Sequence, residues 1–168
     1  MKSTGEVMGI DIDVRGALAK SLMASGLMLK HGGSVLLSIS DEDKADSVST
    51  IRELSSSDCK LYATEGTAKM IEGLGIPVTM ITKKLSEGHP NVLDVIMDGT
   101  VNSVVNTAVT VERAPLRDGF EIRRAAAEKR IPLFTSLDTA RAAVESLTSG
   151  SDIYNVRPRA KYMTQGNG

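Results

Sequence analysis

The 168-residue sequence predicts an α/β domain, a doubly wound parallel sheet with helices on both faces. Two observations carry this. Five short, near-continuous apolar runs recur along the chain, the pattern of strands buried on both faces. Between them lie longer amphipathic stretches with cap residues at their starts, and right-handed crossovers make the doubly wound arrangement the default.

The opening, Met1 to Ile12, is irregular. A helix is expected from Asp13 to about Leu29, with Asp13 as N-cap and Ala17, Leu18, Met23 and Leu27 as its apolar stripe. Lys30, His31, Gly32 and Gly33 read as its stop and as a linker. The five strands are expected at about 35–39, 60–63, 77–81, 102–106 and 132–135. The helices that follow them are expected at about 43–56, 66–74, 89–98, 118–129 and 137–148. Asp41 or Asp43 suits the start of the first of these, Asp118 or Gly119 the fourth, and Ser136 or Asp138 the last. Gly73, Gly75 and Pro77 punctuate the step into the third strand. Residues 151–168 read as a mobile tail rich in Gly, Pro and basic residues, docked in part through Ile153 and Tyr154.

Composition narrows the function. The net charge of −1 gives no overall attraction to nucleic acid or anionic membrane. With no Trp, two Phe and three Tyr, base-stacking platforms are not expected. No apolar stretch approaches the ~18 residues of a membrane span. Cys59, the single cysteine, excludes an internal disulfide, fits a cytoplasmic protein and is expected to be a buried spectator. His31 and His89 form no cluster suited to zinc, so no metal is expected. Neither a phosphate-binding loop of the nucleotide-hydrolase kind nor a dinucleotide fingerprint follows the first strand.

Four polar motifs each follow an apolar run: Ser38 with Lys44, Thr64-Glu65-Gly66-Thr67, Lys83-Lys84, and Asn106-Thr107. In a parallel sheet all four lie at the carboxyl edge, where open α/β sheets bind ligands. Gly66 admits a close anion and conformations a Cβ forbids, and the amides after it open a helix, which attracts phosphate. Lys44 in a first helical turn opposes the helix dipole unless an anion is bound there. Each motif alone also fits an ordinary turn or a solvated face; their shared edge points to one site for a phosphorylated small molecule.

These motifs resemble a known family. Leu36-Leu37-Ser38 with Asp43-Lys44, Ala63-Thr64-Glu65-Gly66-Thr67-Ala68, Glu87-Gly88-His89-Pro90, Val105-Asn106-Thr107, Asp118 with Ile122-Arg123-Arg124, and Phe134-Thr135-Ser136-Leu137-Asp138-Thr139-Ala140 are similar to the methylglyoxal-synthase-like domain that ends the large subunit of carbamoyl-phosphate synthases. The opening Met1 to Gly9 resembles the end of the preceding ATP-grasp half.

The resemblance implies a flavodoxin-like or Rossmann-like three-layer fold with a five-stranded parallel sheet. It implies residues 1–32 as the end of a synthetase domain with a linker helix, 33–150 as the regulatory domain and 151–168 as a tail. It implies binding of a nucleoside monophosphate effector, UMP or IMP, at Ser38, Lys44, Thr64, Gly66, Thr67, Lys84, Asn106, Thr107 and Asp118. Thr135 aligns with a threonine that meets ornithine at the domain boundary in some bacterial members. It implies no cofactor and no catalytic residue in the domain itself. The resemblance also implies a parent enzyme, an ATP-dependent, glutamine-hydrolysing ligase of pyrimidine and arginine biosynthesis that uses ATP with Mg or Mn. It implies as partners the synthetase half of the same subunit and a glutaminase small subunit. Two departures stand out: Ala108 replaces a frequent Thr, and Glu65 brings a carboxylate into the anion turn.

The alternative is a stand-alone methylglyoxal synthase acting on dihydroxyacetone phosphate. The segment Ser40-Asp41-Glu42-Asp43-Lys44 lacks the His-Asp pair which that enzyme family shows before its lysine.

Overall fold

Five parallel strands form one sheet in the order β3-β2-β1-β4-β5 in a computed structural model of the chain. Residues 6–83, 88–107, 117–148 and 156–163 are described. The strands are β1 (Ser34–Ser38), β2 (Lys60–Thr64), β3 (Thr79–Ile81), β4 (Ser103–Asn106) and β5 (Leu133–Phe134). The helices are α1 (Val14–Ala24), α2 (Lys44–Ser56), α3 (Glu65–Gly73), α4 (Val92–Met97), α5 (Arg117–Lys129), α6 (Leu137–Thr148) and α7 (Arg159–Met163). The order is that of the Rossmann type, in which the chain turns from one side of β1 to the other between β3 and β4.

Alternation along β1 divides the core in two. Val35 and Leu37 point to a cluster with Leu22 of α1, Ile51 and Leu54 of α2, Ala68 and Ile71 of α3, and Ala140, Val144 and Leu147 of α6. Leu36 points the other way, to Val92, Val95 and Ile96 of α4 and Ile122, Ala125 and Ala126 of α5. Helices therefore cover both faces, as the apolar strands require.

The five sheet strands and the helices between them start and stop within about three residues of expectation. The N-terminal helix differs more. Asp13 is its N-cap, accepting from Gly16 N at 2.8 Å. The helix stops at Ala24, before the expected end. Gly26 takes φ +71°, and Leu27 N–H donates to Leu22 O at 2.8 Å while Gly26 N–H donates to Met23 O at 3.1 Å. That bond pair closes a helix at a glycine. The buried face is Gly16, Ala19 and Leu22, whereas Leu18 and Met23 of the expected stripe are 44% and 45% exposed. α1 packs on α6, and Leu22 and Leu29 join the first core cluster.

The tail also departs from expectation. Ile153 and Tyr154 lie outside the described residues, and a short helix, α7, follows Pro158. Tyr162 on α7 accepts a hydrogen bond from Lys20 Nζ at 3.1 Å, with the ammonium 5.1 Å from its ring centre. Lys20 also pairs with the buried Asp11 carboxylate at 2.9 Å, which ties three segments together. Among the described residues no helix is long and apolar enough to cross a membrane.

Candidate functional site

The sheet order reverses between β1 and β4, and their last paired residues are Ser38 and Asn106. The helices after these two strands leave to opposite faces, which opens a crevice at the strand ends. Thr64 ends β2 on the far side of β1. Ser38, Thr64, Thr67, Asn106 and Thr107 are all buried.

Two threonines bind the loop after β1. Thr67 Oγ1 accepts from Ile39 N at 3.1 Å, and Thr107 Oγ1 accepts from Ser40 N at 2.8 Å. The turn is tightened by Ser40 Oγ donating to Asp43 Oδ2 at 2.7 Å. Expected as ligand hydroxyls, Thr67 and Thr107 thus also hold the segment that leads into Lys44. Thr107, an acceptor here, keeps its own proton to donate, whereas Thr67 Oγ1 also donates to Ile39 O at 3.5 Å.

α3 starts at Glu65 with Thr64 as an extended N-cap whose side chain makes no capping bond. Among the described residues, Thr64 Oγ1 reaches only Thr67 Oγ1, at 3.5 Å. α1 and α4, by contrast, are capped by Asp13 and by Asn91. Thr64 thus leaves the start of α3 without a side-chain cap at the sheet edge. Gly66 sits in the first helical turn and is not among the positive-φ glycines, so its role is space. A Cβ built on it would lie 3.3 Å from Lys44 Nζ. The ammonium of Lys44 therefore stands over the start of α3.

Lys44 is not left with the helix dipole alone. Its Nζ pairs with Asp41 Oδ1 at 2.6 Å, and this hydrogen bond holds the Asp41 carboxyl below the usual carboxylate range. The Asp41 side chain is 92% exposed. A solvated carboxylate thus occupies the cation that the sequence assigns to an anion.

On the other wall, Arg123 Nη1 donates to Asn106 Oδ1 at 3.2 Å. Sequence reasoning gave Arg123 no role, although its signature was noted. The available signal was its spacing: Gly119 and Arg123 are four apart and share one face of α5. Lys84 and Ala108 lie outside the described residues, and Asp118 is placed in the first turn of α5 by its backbone.

Thr135 is not part of this crevice's bonding. It is exposed and lines a separate cleft of about 290 Å³ with Asp43, Asp46, Asp138 and Arg141. His89 is paired through Nδ1 with Asp94, and His31 with the Leu147 carbonyl. Cys59 is buried, and burial raises its thiol pKa, as suits a spectator. Among the described residues no group of three His, Cys, Asp or Glu could hold a metal.

The fold defines a class, and comparison with known proteins agrees. A family model described as "MGS-like domain" matches residues 46–135, and the chain belongs to that family. The chain is 46% identical, over 98% of its length, to the carbamoyl phosphate synthase large chain of Thermomicrobium roseum. It spans 15% of that relative's length. A crystal structure of methylglyoxal synthase from Elizabethkingia anophelis NUHP1 shares the fold, with a TM-score of 0.57 and 18% identity, over 80% of this chain and 92% of that one.

Proposed function

We propose that this chain is an effector-binding domain which takes a nucleoside monophosphate of the UMP or IMP kind at the β1–β4 crevice. Its role is to regulate ATP-dependent carbamoyl phosphate synthesis by a larger protein. Residues 33–150 form the binding unit, residues 1–32 the end of a preceding synthetase domain, and 151–168 a tail. The observation that carries the reading is Lys44, which follows β1 beside the switch point, standing over the uncapped start of α3. A phosphate there would meet free helix-start amides, an ammonium and hydroxyls together. The similarity to the large chain of Thermomicrobium roseum supports the regulatory setting. In this reading the chain itself performs no catalysis, and ATP, Mg or Mn and the glutaminase partner belong to the parent enzyme.

Calorimetric titration with UMP, IMP, inorganic phosphate and ornithine tests this. At least one nucleotide should bind, and Lys44→Ala should weaken it by roughly 1.5–3 kcal/mol, the worth of a charge-assisted hydrogen bond. No binding by any of the four ligands would overturn the proposal. Methylglyoxal formation from dihydroxyacetone phosphate above a heat-killed control would replace it with the enzyme.

A further inference from the structure

We propose that Arg123, seated in space left by Gly119, fixes the Asn106 side-chain amide so that its NH2, and not its carbonyl, serves the ligand. The inference rests on the phosphorylated-ligand reading and deepens it: Asn106 becomes a donor-only contact for an acceptor oxygen.

An asparagine amide has one accepting end and one donating end, and the two orientations occupy almost the same volume. A ligand site must choose between them. Asn106 is 3% exposed and ends β4 opposite Ser38, at the crevice. A guanidinium has five donors and no acceptor. The 3.2 Å contact from Arg123 Nη1 therefore commits Oδ1 to α5 and turns Nδ2 away from it.

Gly119 makes room for this. A Cβ there would stand 2.9 Å from Arg123 Nη1 and 3.6 Å from Asn106 Oδ1. Any residue with a Cβ would make the guanidinium shift from this position. Arg123 is thus a positioning residue for anion selectivity, acting through Asn106. An amide without this partner is free to turn its carbonyl to the ligand, which repels an oxyanion.

The experiment is calorimetric titration of the full chain with UMP and with inorganic phosphate, alongside side-chain amide NMR of Asn106. Arg123→Ala should weaken UMP by about fivefold, the loss of one oriented hydrogen bond. Arg123→Lys, which keeps a donor toward Oδ1, should recover most of that. Gly119→Ala should weaken binding to a similar degree and add little to Arg123→Ala, since both remove the same contact. Asn106→Asp should keep its pairing with Arg123 and its melting temperature, yet lose more than about fiftyfold in affinity, because a carboxylate now faces the anion. The Asn106 NH2 resonances should shift on adding UMP to the wild type. A variant that merely unfolds the site would lower the melting temperature and would not be rescued by lysine.

UMP affinity within twofold of wild type in both Arg123→Ala and Gly119→Ala would overturn the inference, as would undiminished binding by Asn106→Asp. If these variants bind normally while Lys44→Ala does not, the phosphorylated-ligand reading stands and only this inference falls. If the wild type binds none of the ligands, both fall.

Discussion

At the scale of single residues, the crevice is governed by what stands over Gly66. Its Cβ position lies 3.3 Å from the Lys44 ammonium, in a helical turn without positive φ. Gly66→Val should therefore leave the fold intact by circular dichroism while displacing Lys44 and filling the space before α3, with nucleotide binding lost. Normal binding by the valine variant would exclude this turn as the cradle. Asp41 makes the opposite test. Its carboxylate already pairs with Lys44, so an incoming anion must displace it. Exposed ion pairs are weak, so Asp41→Asn should raise anion affinity by only about twofold, with the gain shrinking in high salt. A lowered affinity would mean that Asp41 positions Lys44 instead of competing for it.

At the scale of elements, the α3–α4 connection shows how a polar cluster secures a helix start. Asn91 caps α4 from its side chain, and Asp94 accepts from Asn91 N at 2.9 Å, completing a capping box. The bond from the Asn91 amide, and then the one from His89, hold the Asp94 carboxyl below its ordinary value of 3.8. A carboxyl with a depressed folded-state pKa stabilises the fold above its unfolded pKa. That contribution is lost as pH falls through the lower, folded value. Asp94→Ala should therefore be less stable than wild type at neutral pH, and the difference should fade on acidification below 3.8. Thermal melts across that range check it; a gap that widens in acid would refute the box as its cause. Strands and helices of the sheet layers were legible because their apolar periods and caps agree with their burial. The N-terminal helix was misjudged in length because Gly26 ends it before the more conspicuous Gly32-Gly33. α7 was missed because its anchor, Lys20, lies 142 residues away from Tyr162, and no local pattern reports such a contact. Arg123 was passed over for a related reason: its partner Asn106 belongs to another element, and only the folded sheet edge joins them.

At the scale of the whole molecule, residues 6–29 and the crevice occupy different parts of the fold. α1 lies on α6 and is tied to α7 through Lys20 and Tyr162. Leu22 and Leu29 are 6% and 7% exposed within the core cluster that covers one sheet face. The bonds that organise the crevice run among Ile39, Ser40, Thr67, Asn106, Thr107 and Arg123, none of which belongs to α1. A chain beginning at Lys30 should therefore fold with a lower melting temperature, because it uncovers α6 and removes two buried leucines, each loss costing roughly 2–5 kcal/mol at most. It should also lose the exposed surface formed by Met8, Val14, Leu18 and Met23, and so associate less in solution. Its affinity for UMP or IMP should match that of the full chain within about twofold, since the bonds described above for the crevice lie outside the deleted segment. Sedimentation, a melting curve and one titration measure all three. A shortened chain that stays folded by circular dichroism yet no longer binds nucleotide would show that α1 belongs to the effector site, and would move the boundary of the binding unit toward the N-terminus.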